Sequence, residues 1–251
     1  MADRLNVLIA AGNTRERIDD VRQWSNIFTG RTGLDIALKM LDVADVTLLT
    51  SNLEHAKYFS EVRGKTGVLN TIGFNTHAEL MATIAKCLGE SKFHGVFMSA
   101  AISDYIPAGA FRIISSTPIS GSNPPQENWV VESVQAAKIS GSYPEIAIRG
   151  MATEKIIDMF RARWNYSGLL YKFKLQAGIS EEELVAIAQK SRGESGADVI
   201  VANTLQMVRG DDPGAWIIDN AASRRVSRRQ LAQILVDDFL NRVRQNQGAG
   251  Q

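Results

Sequence analysis

The residues of this chain best suited to chemistry sit in two short loops near its start. After the apolar run Leu5–Ala10 come Ala11 and Gly12, and a second loop brings Arg22, Asn26, Thr29, Gly30 and Gly33 ahead of the apolar segment Leu34–Leu41. Small residues at the end of a strand let a ligand approach the backbone closely. Amide N–H groups at the start of a helix, helped by its dipole, hold anions such as phosphate. Together these features describe a nucleotide-binding edge of an α/β sheet whose phosphate site is built from two loops. Gly30-x-x-Gly33 lacks the GxGxxG spacing and no GxxxxGK[ST] occurs, so neither the usual dinucleotide fingerprint nor a P-loop is supported. A plain strand-to-helix turn without catalytic duty explains the same glycines equally well.

The elements that must position these loops alternate in type. Apolar runs predict strands at Val7–Ala10, Val46–Leu49, Val68–Thr71, Gly95–Ser99 and Val199–Ala202. Helical periodicity predicts helices around Leu34–Leu41, His77–Leu88, Thr153–Arg163, Ser180–Ser191 and Ser227–Arg244. Such a βα rhythm specifies a mostly parallel sheet between helical layers, with the ligand beyond the carboxyl ends of the strands. Gly12, Ala100 and Asn203 are expected to converge there. Residues 103–142 interrupt the rhythm with Pro107, Pro118, Pro124, Pro125 and several Gly and Ser, leaving Phe111–Ile114 and Trp129–Val134 as short strands. This excursion is an active-site flap, a dimerisation arm or a passive insertion within one domain spanning 1–251.

Bulk properties narrow the function classes. The 28 Lys and Arg against 27 Asp and Glu give a formal charge of +1, without the basic excess of a nucleic-acid binder. Arg224, Arg225, Arg228 and Arg229 form one local cluster, read as a solvated segment. A lone cysteine, Cys87, lies on a helical face and reads as a buried or half-buried thiol. His55, His77 and His94 have no metal-ligand spacing. With no signal-like or membrane-length apolar stretch, a soluble cytoplasmic protein is expected, with no nucleic-acid or membrane partner.

The order of several motifs carries a family resemblance. Thr14-Arg15-Glu16, Ile18-Asp19, Val21-Arg22, Ser25-Asn26 and Gly30-x-x-Gly33 resemble the N-terminal signature of the phosphopantothenoylcysteine synthetases, or phosphopantothenate–cysteine ligases. Further matches follow in Ala100-Ala101-Ile102-Ser103-Asp104-Tyr105, Lys138-Ile139-Ser140, Phe173-Lys174-Leu175 and Ala197–Asn203, and Ser227 fits the family's ending as a helix cap. The resemblance implies a Rossmann-like three-layer α/β/α sandwich, commonly a homodimer, acting in coenzyme A biosynthesis. Its implied reaction activates 4'-phosphopantothenate with CTP or ATP and Mg2+ through an acyl nucleotide, then couples it to cysteine. No flavin is expected, and the protein ligands of the metal stay unassigned.

The resemblance also implies residue roles. Asn26, Arg22 and Lys138 are the catalytic candidates: an amide donor to the pantothenate carbonyl, a guanidinium fork for phosphate or carboxylate, and a cation for developing charge. Gly12, Thr29, Gly30, Gly33, Phe173, Lys174 and Asn203 fall to nucleotide binding, and Ala100, Ala101 and Asp104 to the substrate pocket. Departures from the family pattern stand at Phe28, Gln176, Ala177 and Thr204, the last two motifs losing carboxylates. They leave room for a diverged ligase with another substrate or a noncatalytic nucleotide-binding or assembly module.

Overall fold

The computed structural model describes residues 4–60, 64–210 and 213–248. The chain opens with β1 (Leu5–Ala11), the small hairpin β2 (Arg15–Arg17) and β3 (Gln23–Ser25), then α1 (Arg31–Met40), β4 (Ala44–Thr50), α2 (Glu54–Ser60) and β5 (Leu69–Gly73). It continues through α3 (His77–Glu90), β6 (Gly95–Met98), β7 (Tyr105–Ile119), β8 (Gln126–Ser133), β9 (Ile146–Ala152) and α4 (Ile156–Ala162). The last third holds β10 (Leu169–Gln176), α5 (Glu181–Ser195), β11 (Val199–Thr204), α6 (Leu205–Arg209), β12 (Gly214–Ile218), β13 (Ser223–Ser227) and α7 (Arg228–Gly248).

Eight strands form one sheet in the order β13-β12-β11-β10-β6-β1-β4-β5. The six from β11 to β5 run parallel; β12 and β13 add an antiparallel edge. Strand β1 is covered on both sides of the sheet, which is why its sequence is continuously apolar rather than alternating. Val7, Ile9 and Ala11 face α1 and α7, in one cluster with Ile36, Met40, Leu235 and Phe239. Leu8 and Ala10 face the opposite layer with Leu80, Ile84 and Phe160. The result is the expected three-layer α/β/α sandwich, and each fully buried Leu or Ile contributes about 1.5–3 kcal/mol to it.

Strand order reverses at β1. The chain leaves β1 through α1 toward β4 on one side, and returns through α3 to β6 on the other, so a crevice opens between the carboxyl ends of β1 and β6. Gly12 and Asn13 follow β1 there, and an isolated bridge ties Asn13 to Ala101 after β6.

Several expectations need correction. Strand β10 sits at the middle of the sheet although Lys172 and Lys174 interrupt its apolar run, and α2, α6, β12 and β13 had no strong periodic signal. Helix α4 begins at Ile156 rather than Thr153, because β9 carries extended backbone to Ala152. Ser227 ends β13 instead of capping the last helix, and its hydroxyl donates to Gln230 Oε1 at 2.8 Å.

The excursion is also larger than its two short strands suggested: β8-β7-β9 form a separate antiparallel sheet that runs to Ala152. Its prolines do not break β7. Pro107 lies where the β7–β9 register shifts, and Pro118 lies beyond Arg112, where β7 is paired with β8 alone.

Candidate functional site

The two glycine loops meet face to face after β1. Gly12 and Gly30 have φ of 92° and 82°, and a Cβ on Gly30 would lie 2.0 Å from the Gly12 nitrogen. A Cβ on Gly12 would lie 2.3 Å from Ser51 Oγ, and one on Gly33 would lie 2.4 Å from Ser99 Oγ. The missing side chains therefore let protein approach protein. Gly12 and Gly30 also line the cavity described below, so the same two residues join loop packing to the candidate site.

Polar side chains lock the loops together. Ser51 Oγ accepts from Asn13 N at 2.8 Å, Asn13 Nδ2 donates to the Asn26 carbonyl, and Asn26 Nδ2 donates to the Ala101 carbonyl at 3.1 Å. Ser103 N donates to Thr14 Oγ1 at 2.8 Å, and Thr153 Oγ1 donates to the Ser103 carbonyl at 2.9 Å. Four segments distant in sequence, residues 13–26, Ser51, 101–103 and Thr153, are thus fixed at one edge of the sheet.

Helix α1 starts directly from this lock. Its cap residue is Gly30, no side chain accepts from the first-turn amides, and the first turn holds no acid. By contrast, α3 and α5 are closed by reciprocal capping boxes, Thr76 with Glu79 and Ser180 with Glu183. The open α1 amides border a cavity of about 620 Å³ lined on that side by Gly12, Asn26, Phe28, Thr29, Gly30, Arg31 and Thr32. Its opposite walls come from Ser99–Asp104, Thr153–Ile157, Lys172–Leu175 and Asn203, with Arg228 and Leu231 from the start of α7. This arrangement suits an anionic ligand: open amides at one wall, several cations, and the amide side chains of Asn26 and Asn203.

Of the residues singled out from sequence, Gly12, Asn26, Thr29, Gly30, Ala100, Ala101, Asp104, Phe173, Lys174 and Asn203 are brought together at the cavity. Gly33 lies just behind it, packed on Ala11 and Ser99. Arg22 and Lys138 are not among the lining residues. Arg22 donates to the Ile139 carbonyl at 2.8 Å and pairs with Asp19 at 3.3 Å, so it fastens the excursion to the second loop. Lys138 is exposed beside the buried Ile139.

Asp19 anchors the same junction. Its carboxylate accepts from Val21 N at 2.9 Å, Arg22 N at 2.7 Å and Ile139 N at 3.1 Å. Burial pushes its pKa upward, but these backbone donors and Arg22 outweigh it and hold the carboxyl below its ordinary value.

Sequence reasoning missed Lys172, Lys155 and Thr153, and read Arg228 as part of a solvated cluster although it lines the cavity. Lys172 carried a signal, a lysine inside an apolar run, that marks a buried charge when the run is a central strand. It is 8% exposed and donates to the Ser191 carbonyl on α5 at 2.8 Å. No histidine or cysteine is among the lining residues. Cys87 is buried on α3 with Leu80 and Ile84, where burial pushes its thiol pKa up and leaves it poorly nucleophilic. Among the described residues no His, Cys, Asp and Glu gather into a metal-binding group, and no helix is long and apolar enough to cross a membrane.

Residues 2–112 match the family described as DNA/pantothenate metabolism flavoprotein C-terminal domain. The Coenzyme A biosynthesis bifunctional protein CoaBC of Thermococcus kodakarensis is 29% identical over 238 residues, covering 93% of this chain and 50% of that protein. The chain thus spans about half the length of this curated relative. The DNA/pantothenate metabolism flavoprotein from Streptococcus pneumoniae superposes with a TM-score of 0.71 at 23% identity, covering 95% of this chain and 99% of that one. A Cab2 variant in complex with phosphopantothenate-cysteine superposes with a TM-score of 0.62 at 12% identity, covering 95% and 86%.

These findings correct the activity expected from the motifs. The matched family and the Streptococcus structure are described as flavoproteins, and neither description names a ligase, CTP, ATP or Mg2+. The expectation of a flavin-free, CTP- or ATP-dependent, Mg2+-assisted phosphopantothenate–cysteine ligase is corrected on that finding. The geometry adds a physical reason, since two of the three side chains assigned to the chemistry, Arg22 and Lys138, stand outside the cavity lining.

A flavin is the group that the flavoprotein description brings, and the description names a C-terminal domain without saying which part carries the flavin. The cavity's residues suit such a group in part. The α1 amides and Thr32 match the phosphate of a flavin mononucleotide, and Phe28 and Phe173 offer apolar surface to a ring. Those phosphate donors serve any phosphorylated ligand equally. What the structural likenesses establish is the fold, a three-layer α/β/α sandwich shared along nearly the whole chain.

Proposed function

We propose that the cleft at the carboxyl edge of β1, β6, β10 and β11 binds a phosphopantothenate-cysteine-like compound, as a domain of a flavin-linked protein of coenzyme A biosynthesis. The observation that carries this reading is the open first turn of α1, bordering a cavity of about 620 Å³ with the Asn26 and Asn203 amides on its walls. The phosphate sits on the α1 amides, where the helix dipole and the absence of a competing carboxylate favour a dianion. Asn26, held by its own bond to Ala101, presents its Oδ1 to an amide N–H of the pantothenate arm; Asn203 offers both donor and acceptor.

Support comes from the Thermococcus relative's name and from the ligand of the Cab2 structure. A bound flavin supplies two-electron acceptance. This chain's residues bind the phosphate, orient the amides and exclude water. The chain acts as one domain in a cytoplasmic setting, and the excursion serves as a dimer arm, because β8 exposes Trp129, Val130 and Val131 at 52%, 59% and 42%.

Calorimetric titration tests the ligand. Phosphopantothenate-cysteine is expected to bind at least tenfold more tightly than the same compound without its phosphate. Equal binding of the two, or binding of neither, overturns the reading. Titration of flavin mononucleotide alongside tests the flavin: quenched fluorescence supports a seat in this chain, and unquenched fluorescence beside saturable ligand binding removes the flavin from this cleft.

A further inference from the structure

On the far wall of the cavity from α1, Lys155, Lys172 and Lys174 come together. Lys172 and Lys174 are alternate residues of β10 and so point to one face of the sheet, and Lys155 precedes α4, which covers that face. All three line the cavity. Among the described residues none of them forms an ion pair: Glu194, an acid near Lys172, is engaged with Lys190 at 3.9 Å, and Asp158 is the other acid in range. Asp104 and Glu154 also line the cavity. Lys172 is 8% exposed and one of its three N–H donors is used, on the Ser191 carbonyl. A buried ammonium beside two like charges is costly to keep, and an anionic ligand offsets that cost.

We infer that Lys172 and Lys174, with Lys155 at the rim, form a second anion subsite that takes the carboxylate at the cysteinyl end of the ligand. The inference rests on the reading above, in which the phosphate occupies α1. Strand β10 lies two strand spacings from β1, roughly 10 Å, and phosphopantothenate-cysteine carries its phosphate and its carboxylate at opposite ends of a flexible diamide. A ligand with a single anionic end fills only half of this charge pattern. Burial, together with Lys174 and Lys155, pulls the Lys172 pKa down, against Asp158 and Glu194, and a bound carboxylate acts in the opposite sense by favouring the charged form.

The test compares phosphopantothenate-cysteine with 4'-phosphopantetheine, which lacks only the carboxylate, by calorimetric titration of the whole chain. The wild type is expected to bind the carboxylate-bearing compound at least tenfold more tightly. Lys172→Gln and Lys174→Gln are each expected to bring that ratio to within threefold of unity, by weakening the carboxylate-bearing compound more than 4'-phosphopantetheine. Lys174 is only half-buried, so its variant keeps the test open if Lys172→Gln does not fold. A wild-type ratio near one, or a ratio preserved in Lys174→Gln, overturns the second subsite while leaving the phosphate seat intact. Binding of neither compound overturns the reading on which it rests.

Discussion

Helices α1 and α5 both follow a parallel strand and both begin at the carboxyl edge of the sheet, yet only α5 is closed. Ser180 Oγ accepts from Glu183 N at 3.2 Å and Glu183 Oε2 accepts from Ser180 N at 2.9 Å, so the start of α5 is capped from within the chain. Helix α1 has a glycine in the corresponding place and no acid in its first turn. The comparison separates two uses of one local geometry. A side chain that fills the amides stabilises the fold; amides left open beside a cavity are available to a ligand.

The largest effect is expected at Gly30. Gly30→Ala puts a Cβ into the Gly12 backbone at a positive φ, so the two loops must part. A destabilisation of about 3 kcal/mol is expected, and phosphopantothenate-cysteine binding should be lost in whatever folds. Thermal unfolding and calorimetry check both. A fully stable variant that binds normally would break the comparison, because the α1 start would then not depend on the glycine contact.

An intermediate effect is expected at Asp19, which fills loop amides much as Glu183 fills those of α5. Its folded pKa is lowered, so its stabilisation is complete above the unfolded aspartate value of about 3.9 and is lost as pH falls through the lower folded value. Acid should therefore release the Arg22–Ile139 junction below about pH 4, seen as new proteolytic cleavage between the second loop and the excursion. Asp19→Asn should show that cleavage at neutral pH. Cleavage independent of pH in both proteins would remove Asp19 from this role.

The smallest effect sharpens the contrast. Ser180→Ala should cost about 1 kcal/mol of stability and leave ligand affinity unchanged, since no α5 capping residue lines the cavity. A shift in affinity would mean that the closed helix also serves the ligand.

Much of the fold was legible because burial on both faces writes itself as continuous apolar runs. Strands β1, β4, β6 and β11 were found from such runs, each to within a few residues. Strand β10 was not, because Lys172 and Lys174 look like surface residues until the sheet order places them under α4 and α5. Strands β12 and β13 escaped for a different reason: they are short and antiparallel, and most of β13, at the sheet edge, is exposed.

The candidate site was legible in part. Gly12, Gly30 and Asn26 were found at the right edge, but the close packing of the glycines, Gly30 on the Gly12 backbone and Gly12 on Ser51 Oγ, depends on residues that linear order does not bring together. Arg22 and Lys138 matched a linear motif, and linear order carries no information on whether a side chain reaches a cleft. Thr204, noted as a lost acid, serves as the cap of α6 by accepting from Met207 N at 3.2 Å, so that departure keeps a structural task.

The position of Lys172 in mid-sheet has a consequence for how this protein responds to engineering. A methionine there would fill the same volume without a charge to desolvate, so selection for heat resistance alone would discard the lysine. Libraries screened on melting temperature would drift toward sturdy proteins with a blunted cleft, and the trade between robustness and recognition would surface first at this one residue.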